Sequence, residues 1–392
     1  MVSSADGRPA SERAAGPGAL APRVGSREMD DRIAAARASG IDVFRLVGGP
    51  ALPLPEHVRA AALDAMKGPG PRPSRGLPEL RGAIASSLAP ESADPVDPDR
   101  EVVIAHGAMQ TLNLVLRAVL APGDRVVVPS PNFFFDGIIR LTGAEPVFVP
   151  SLPNEGWRWD LDALAAAIDH RTRAVVISNP TNPTGYLPGR AELEALHDLA
   201  QAAGAILISD ESYDRLIYPE GTFTSLASLP RTDTAVLVRS LSKSYALVDW
   251  RVGYVVASPA LADQVVSLVE WECLHCGYPA QRVATAAIEG PQEWLLAAHA
   301  TYQPVRDQLL AALERNQWLS AHLPHSTPFL FLDASRMSAG AKRPEDALLR
   351  SGIPTVPGHC FQAPDHFLRL PIGCDEATAA RLAHALEDVV PV

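Results

Sequence analysis

From Glu101 onward, short apolar, β-branched runs alternate with longer stretches in which apolar residues recur every three or four positions. The first pattern suits strands buried on both faces, the second amphipathic helices. It predicts strands over 102–105, 125–129, 173–178, 205–209, 235–239 and 252–257, and helices over 108–120 and 189–203, the latter with Glu192 and Glu194 toward its exposed side. Such alternation predicts an α/β fold: a mostly parallel sheet flanked by helices, forming a large domain over 46–289. Ligands of such sheets bind beyond the carboxyl ends of the strands, so the informative residues should follow strands. Beyond residue 290 the pattern changes to long helices, 294–319 and 375–389, around short strands at 329–333 and 367–370. This predicts a smaller α+β C-terminal domain over 290–392, with 26–45 as an arm packing on it. Residues 1–25, rich in Ala, Gly, Pro and Ser, read as a disordered tail.

Composition narrows the classes. The chain has 392 residues, 47% hydrophobic and 20% charged, enough for a sizeable core. A net charge of −11 argues against a nucleic-acid partner but leaves room for a local basic pocket. No apolar run is long enough to span a bilayer, the first residues lack a secretory layout, and four cysteines make no disulfide framework. A cytoplasmic protein is the expectation.

Four segments carry the candidate chemistry, each after a strand. His106-Gly107-Ala108-Met109 joins a strand to a helix, where small residues let free N–H groups approach an anion. Asn179-Pro180-Thr181-Asn182-Pro183-Thr184-Gly185 is a stiff turn that presents Asn182. Ser209-Asp210-Glu211-Ser212-Tyr213 puts a carboxylate at a strand end, either a solvated cap or a partner for a cationic ring nitrogen. Ser240-Leu241-Ser242-Lys243-Ser244, with Arg251 eight residues beyond Lys243, offers hydroxyls, an amine and a guanidinium in one loop, suited to a phosphate dianion and an imine.

Together these segments resemble the fold-type I, pyridoxal 5′-phosphate (PLP)-dependent class I/II aminotransferases, from about Phe44 to the end. The combination of NPTNPTG, DESY and SLSK followed by WRVGY is specific where each piece alone is not. The resemblance implies that Lys243 forms the Schiff base and then shuttles the proton. Asp210 would pair with the pyridinium nitrogen, while Asn182 and Tyr213 would hold the phenolic oxygen. Gly107, Ala108, Ser240, Ser242 and Arg251 would share the phosphate, with Met109 in the same cofactor-binding turn. Phe133 falls where the family stacks an aromatic on the cofactor ring. Arg369 matches the arginine that grips the substrate α-carboxylate, and Gly48 a glycine whose backbone meets the same group.

Three positions depart from the family. Pro71 stands where relatives often have a tyrosine reaching the partner subunit's phosphate, with Arg72 or Arg75 as charged substitutes. Asp249 replaces a common glycine two positions before Arg251 and is a candidate partner for it. Met109 stands where one aspartate-using branch has a lysine, which turns the expectation toward a neutral, cationic or aromatic side chain. Cys273 and Cys276 form one CxxC, short of a zinc site, and no metal is expected.

The function implied is ping-pong transamination between an amino acid and a 2-oxo acid, in a homodimer with shared active sites. A PLP-dependent lyase, cyclase or oxidase would use the same groups. A non-catalytic PLP-binding regulator fits less well, because the Lys243, Asp210 and Arg251 set is complete and the chain shows no appended helix-turn-helix.

Overall fold

A computed structural model of the chain describes residues 25–49, 53–337 and 343–391. Of the expected tail, residues 1–24 lie outside the described residues, while Gly25 opens a helix, Gly25–Ala38.

The described residues form two sheets. The larger has seven strands in the order β1-β7-β6-β5-β4-β2-β3. These are β1 (Val102–Ala105), β2 (Arg125–Ser130), β3 (Glu145–Pro150), β4 (Thr172–Ser178), β5 (Ile206–Asp210), β6 (Ala235–Ser240) and β7 (Gly253–Val256). Neighbours from β3 to β6 pair in parallel, whereas β7 runs antiparallel to both β1 and β6. Their Val, Ile and Leu side chains are almost fully buried, as parallel strands covered on both faces require. Helices Gly107–Val119 and Pro259–Glu272 pack on one face. On the other face, Leu161–Ala167 and Arg190–Ala202 cover the β2–β5 half, and Pro78–Leu88 and Tyr278–Glu289 the half around β1.

One strand was missed and one predicted helix needed correction. β3 escaped the reading of the sequence because it holds Pro146 and Pro150; as the edge strand it tolerates residues that give no N–H to the ladder. The single helix expected over 294–319 is two, Glu293–Ala300 and Tyr302–Arg315, separated at Thr301. Pro304 sits in the first turn of the second, where its missing N–H is unneeded.

The smaller sheet has the order β10-β11-β9-β8 and is antiparallel: β8 (Ser320–Ala321), β9 (Phe329–Asp333), β10 (Val356–Pro357) and β11 (Phe367–Pro371). Helices Tyr302–Arg315 and Glu376–Glu387 pack on each other and close its core. Helix Gly25–Ala38 lies against helix Pro344–Arg350, where Arg32 pairs with Glu345 at 3.5 Å. The following segment bonds to this unit through Phe44 and Val47, bringing Gly48 and Gly49 toward the larger sheet. Among the described residues, no helix is long and apolar enough to cross a membrane.

Candidate active site

The carboxyl ends of β1, β4, β5 and β6 meet the start of β7 because β7 alone runs the other way. Every site residue picked from the sequence except Gly107 lines one cavity of about 370 Å³ above these ends. Gly107 lies just beneath, at the N-terminus of its helix, with φ +79°. A Cβ there would fall 2.6 Å from Nη2 of Arg251, and one on Gly253 would fall 2.6 Å from the carbonyl carbon of Gly107. Only glycines let helix start, arginine and strand approach this closely. Arg251 Nη1 donates to Ser242 Oγ at 3.2 Å and to the Val248 carbonyl at 3.0 Å. Ser240, in turn, caps the next turn, its hydroxyl accepting from Ser242 N–H at 3.1 Å. The result is a concave group of hydroxyls, one guanidinium and a helix N-terminus, a cradle for an anion.

Lys243 sits on a helical turn, Leu241–Ser244, where the sequence suggested a loop. Its stem packs on Gly49, where a Cβ would fall 2.8 Å from Lys243 Cδ. Burial, then the positive charges of Arg369 and Arg251, push the amine down to about 8. Its Nζ has no hydrogen-bond or ion-pair partner among the described residues. Asp210 ends β5; its Oδ1 accepts from Ser212 Oγ at 2.6 Å and Ser212 N–H at 3.1 Å, while burial pushes the acid up to about 6. Tyr213 is buried edge-on to Phe329, and that burial raises its phenol well above the usual range.

Arg369 lies on β11 opposite Val356 and Phe331, and is 7% exposed. Its guanidinium is ringed by Phe133, Phe329 and Phe361 at 4.4, 4.5 and 4.8 Å. Nη1 donates to Asn182 Oδ1 at 3.1 Å, whereas Nε is buried with no partner. Burial pulls this arginine down to about 10. A buried cation with one neutral oxygen and a donor left over is a receptor for an anion.

The family described as aminotransferase class I and II matches residues 47–386. The chain belongs to it. This aminotransferase is an enzyme that transfers amino groups. It is 30% identical over 369 residues to the probable aspartate/prephenate aminotransferase of Aquifex aeolicus, covering 90% of this chain and 93% of the relative. With the arginine–pyruvate transaminase of Pseudomonas aeruginosa it shares 33% over 358 residues, 89% of each. The solved aspartate aminotransferase from Thermus thermophilus with maleate superposes with a TM-score of 0.88 at 30% identity, over 95% of this chain and 98% of the other.

Other residues singled out in the aminotransferase's sequence make the following contacts. Phe133, assigned to the cofactor ring, packs over Arg369 and against Phe134 and Phe361 as well as lining the cavity. Arg75, a candidate substitute at the Pro71 departure, is engaged by Asp263 and the Arg100 carbonyl, while Arg72 is exposed. Asp249 is exposed and makes no bond to Arg251, which turns to Ser242 instead. Cys276 Sγ lies 3.8 Å from the Ala105 carbonyl, and Cys273 Sγ 3.8 Å from His106 Nδ1. No cluster of metal-binding side chains occurs among the described residues. Reading the sequence overlooked Gly49, Phe329 and Phe361, whose roles depend on contacts across the fold.

Proposed function

We propose that the cavity holds PLP and that the enzyme moves an amino group between an amino acid and a 2-oxo acid by ping-pong turnover. The buried Arg369, its Nε without a partner, facing the same cavity as Lys243 and Asp210 carries this reading. The residues suit the group. Gly107, Ala108, Met109, Ser240, Ser242 and Arg251 would hold its phosphate end. Lys243 Nζ would hold its aldehyde carbon, Asn182 and Tyr213 its phenolic oxygen, and the Asp210 carboxylate its ring nitrogen. Phe133 would close one side of the ring. When bound, the group supplies a sink for the electron pair left as an amino acid loses its Cα proton.

The chain's own residues do the rest. Arg369 and the Gly48 backbone fix the α-carboxylate, with the Asn182 amide behind the guanidinium. Lys243 Nζ, lowered toward neutrality by its surroundings, takes the proton from Cα and returns it elsewhere. Asp210 stays ionised beside a cationic ring because opposite charges stabilise each other in a site of low polarity. Met109, Phe133 and Phe134 give the lining an apolar character that favours donors with neutral or aromatic side chains. The named relatives span acidic and cationic donors, so the side-chain preference belongs to this chain's own lining.

The reading includes a homodimer with shared sites, supported by the exposed Arg72 and by Trp271, 92% exposed, and keeps the cytoplasmic location expected from the sequence. It also includes a large domain over 46–289, a small one over 290–392, and 26–45 as an arm on the latter. Adding an amino acid to the loaded enzyme should remove its near-visible absorbance, and a 2-oxo acid should restore it. Accumulation of ammonia, peroxide or a cyclised product without that reversal would favour a lyase, oxidase or cyclase instead.

A further inference from the structure

Behind the cavity one guanidinium gathers three carboxylates. Arg239, the penultimate residue of β6, donates to Glu211 Oε2 from Nη2 at 2.8 Å and from Nε at 3.1 Å. It reaches Glu91 Oε1 at 2.6 Å and Asp214 Oδ2 at 3.1 Å. The side chains of Glu211, Arg239 and Asp214 are 0%, 7% and 8% exposed. Glu211 is further satisfied by Ser225 Oγ at 2.8 Å and Leu226 N–H at 2.7 Å. Buried ion networks are weak evidence for stability, because desolvation offsets most of the attraction.

Where the network attaches is more telling. Glu211 directly follows Asp210. Asp214 Oδ1 accepts from the hydroxyl of Ser244, which directly follows Lys243. On the other flank of the lysine, Ser242 is tied to Arg251. A turn of four residues has little helical stability of its own, so its place is set by its ties to the surroundings: Leu241 N–H to the Val252 carbonyl at 3.0 Å, and the side-chain bonds on either flank of Lys243.

We propose that Asp214, held by Arg239, is a positioning residue: through the Ser244 hydroxyl it fixes the turn Leu241–Ser244 so that Lys243 Nζ is aimed at the substrate's Cα proton. The inference rests on Lys243 being the cofactor lysine and proton carrier. It adds that the amine's aim is set from the side of the turn away from the phosphate cradle, by a network that never touches substrate.

The test compares wild type with Ser244→Ala, Ser244→Thr and Asp214→Asn. In loaded enzyme at saturating amino acid, Ser244→Ala should slow the first half-reaction about tenfold. The amino-acid concentration giving half the maximal rate should stay unchanged. The isotope effect from deuterium at Cα should grow, since the proton step becomes more limiting. Ser244→Thr, which keeps the hydroxyl, should recover most of the rate, and Asp214→Asn should resemble Ser244→Ala. In cofactor-free protein, amide exchange over residues 241–247 should quicken in Ser244→Ala. Unchanged rate, isotope effect and exchange in Ser244→Ala would overturn the proposal, as would a slower rate wholly accounted for by lost cofactor. If wild type itself shows no spectral conversion, the reading of the cavity fails, and the exchange arm still decides whether Asp214 and Ser244 hold the turn.

Discussion

Replacing Arg369 by leucine separates what the residue does for the substrate from what it does for the fold. In the folded chain its pKa falls from 12.5 to about 10. Keeping it charged at neutral pH therefore costs about 3 kcal/mol of stability. Leucine removes that cost. It also forfeits the cation–aromatic contacts with three phenylalanines, together about 2 kcal/mol, and leaves Asn182 Oδ1 without its donor, about 1 kcal/mol. The terms nearly cancel, so the melting temperature of Arg369→Leu should lie within a few degrees of wild type. Catalysis has no such compensation. A substrate carboxylate that enters the cavity without its guanidinium forfeits about 4 kcal/mol of binding, which is roughly a thousandfold in kcat/KM. The two assays are thermal unfolding and the steady-state rate on the best amino donor. A carboxylic acid analogue lacking the amino group should raise the melting temperature of wild type and leave the variant unmoved. Arg369→Leu keeping kcat/KM within about tenfold of wild type, or losing more than about 3 kcal/mol of stability, would refute the reasoning.

Three further outcomes follow from the same geometry. Lys243→Ala should lack the near-visible absorbance altogether; in wild type, the rate at which the cofactor loads should rise with pH and level off above about 8, where the amine is neutral, as stopped-flow absorbance would show. Asp210 has a folded pKa of about 6, above its ordinary 3.8, so the stability it lends the cofactor-free protein is whole below about pH 4 and gone as pH rises through 6. Cofactor-free Asp210→Asn should thus exceed wild type by up to about 3 kcal/mol at pH 7.5 in denaturant melts, the gap closing toward pH 4, while loaded enzyme loses activity about a hundredfold or more. Gly107→Ala combines a left-handed φ with a Cβ too close to Arg251, and should weaken cofactor binding by about 1–3 kcal/mol; equal affinity in a spectral titration would contradict the cradle.

The sheet was readable from the sequence because its strands are buried on both faces, so β-branched runs marked β1, β2 and β4 to β7 to within a residue or two. β3 was not, since an edge strand carrying Pro146 and Pro150 resembles a loop locally. The reversed direction of β7 was equally hidden, because a strand's direction leaves no mark on its composition. Site residues following strands stood out through their residue types and spacing. Phe329, Phe361 and the Arg239 hub did not, for their meaning lies in which distant side chain they touch. Glu211 lay within a quoted motif, and only its bonds to Arg239 and Ser225 give it a task. Phe133 shows how much a fold adds: its place in the chain suggested a cofactor contact, and only packing revealed that it also lies over Arg369 while lining the cavity.

The reversed strand has one more consequence. Gly253 lies opposite Ala105 in β1 and Ser240 in β6, so the rungs of the ladder index Arg251 against the Gly107 turn and the Ser242 hydroxyl at once. Alignment of the anion cradle is thus a matter of counting residues. Deleting a single residue between Arg251 and Gly253 would displace the guanidinium by about 3.3 Å, the rise of one strand position, and turn alternate side chains to the opposite face. The core would still find apolar partners; the cradle would not close. This strand sets the spacing between the Gly107 turn, the Ser242 turn and Arg251, and its count is the one the cradle cannot lose.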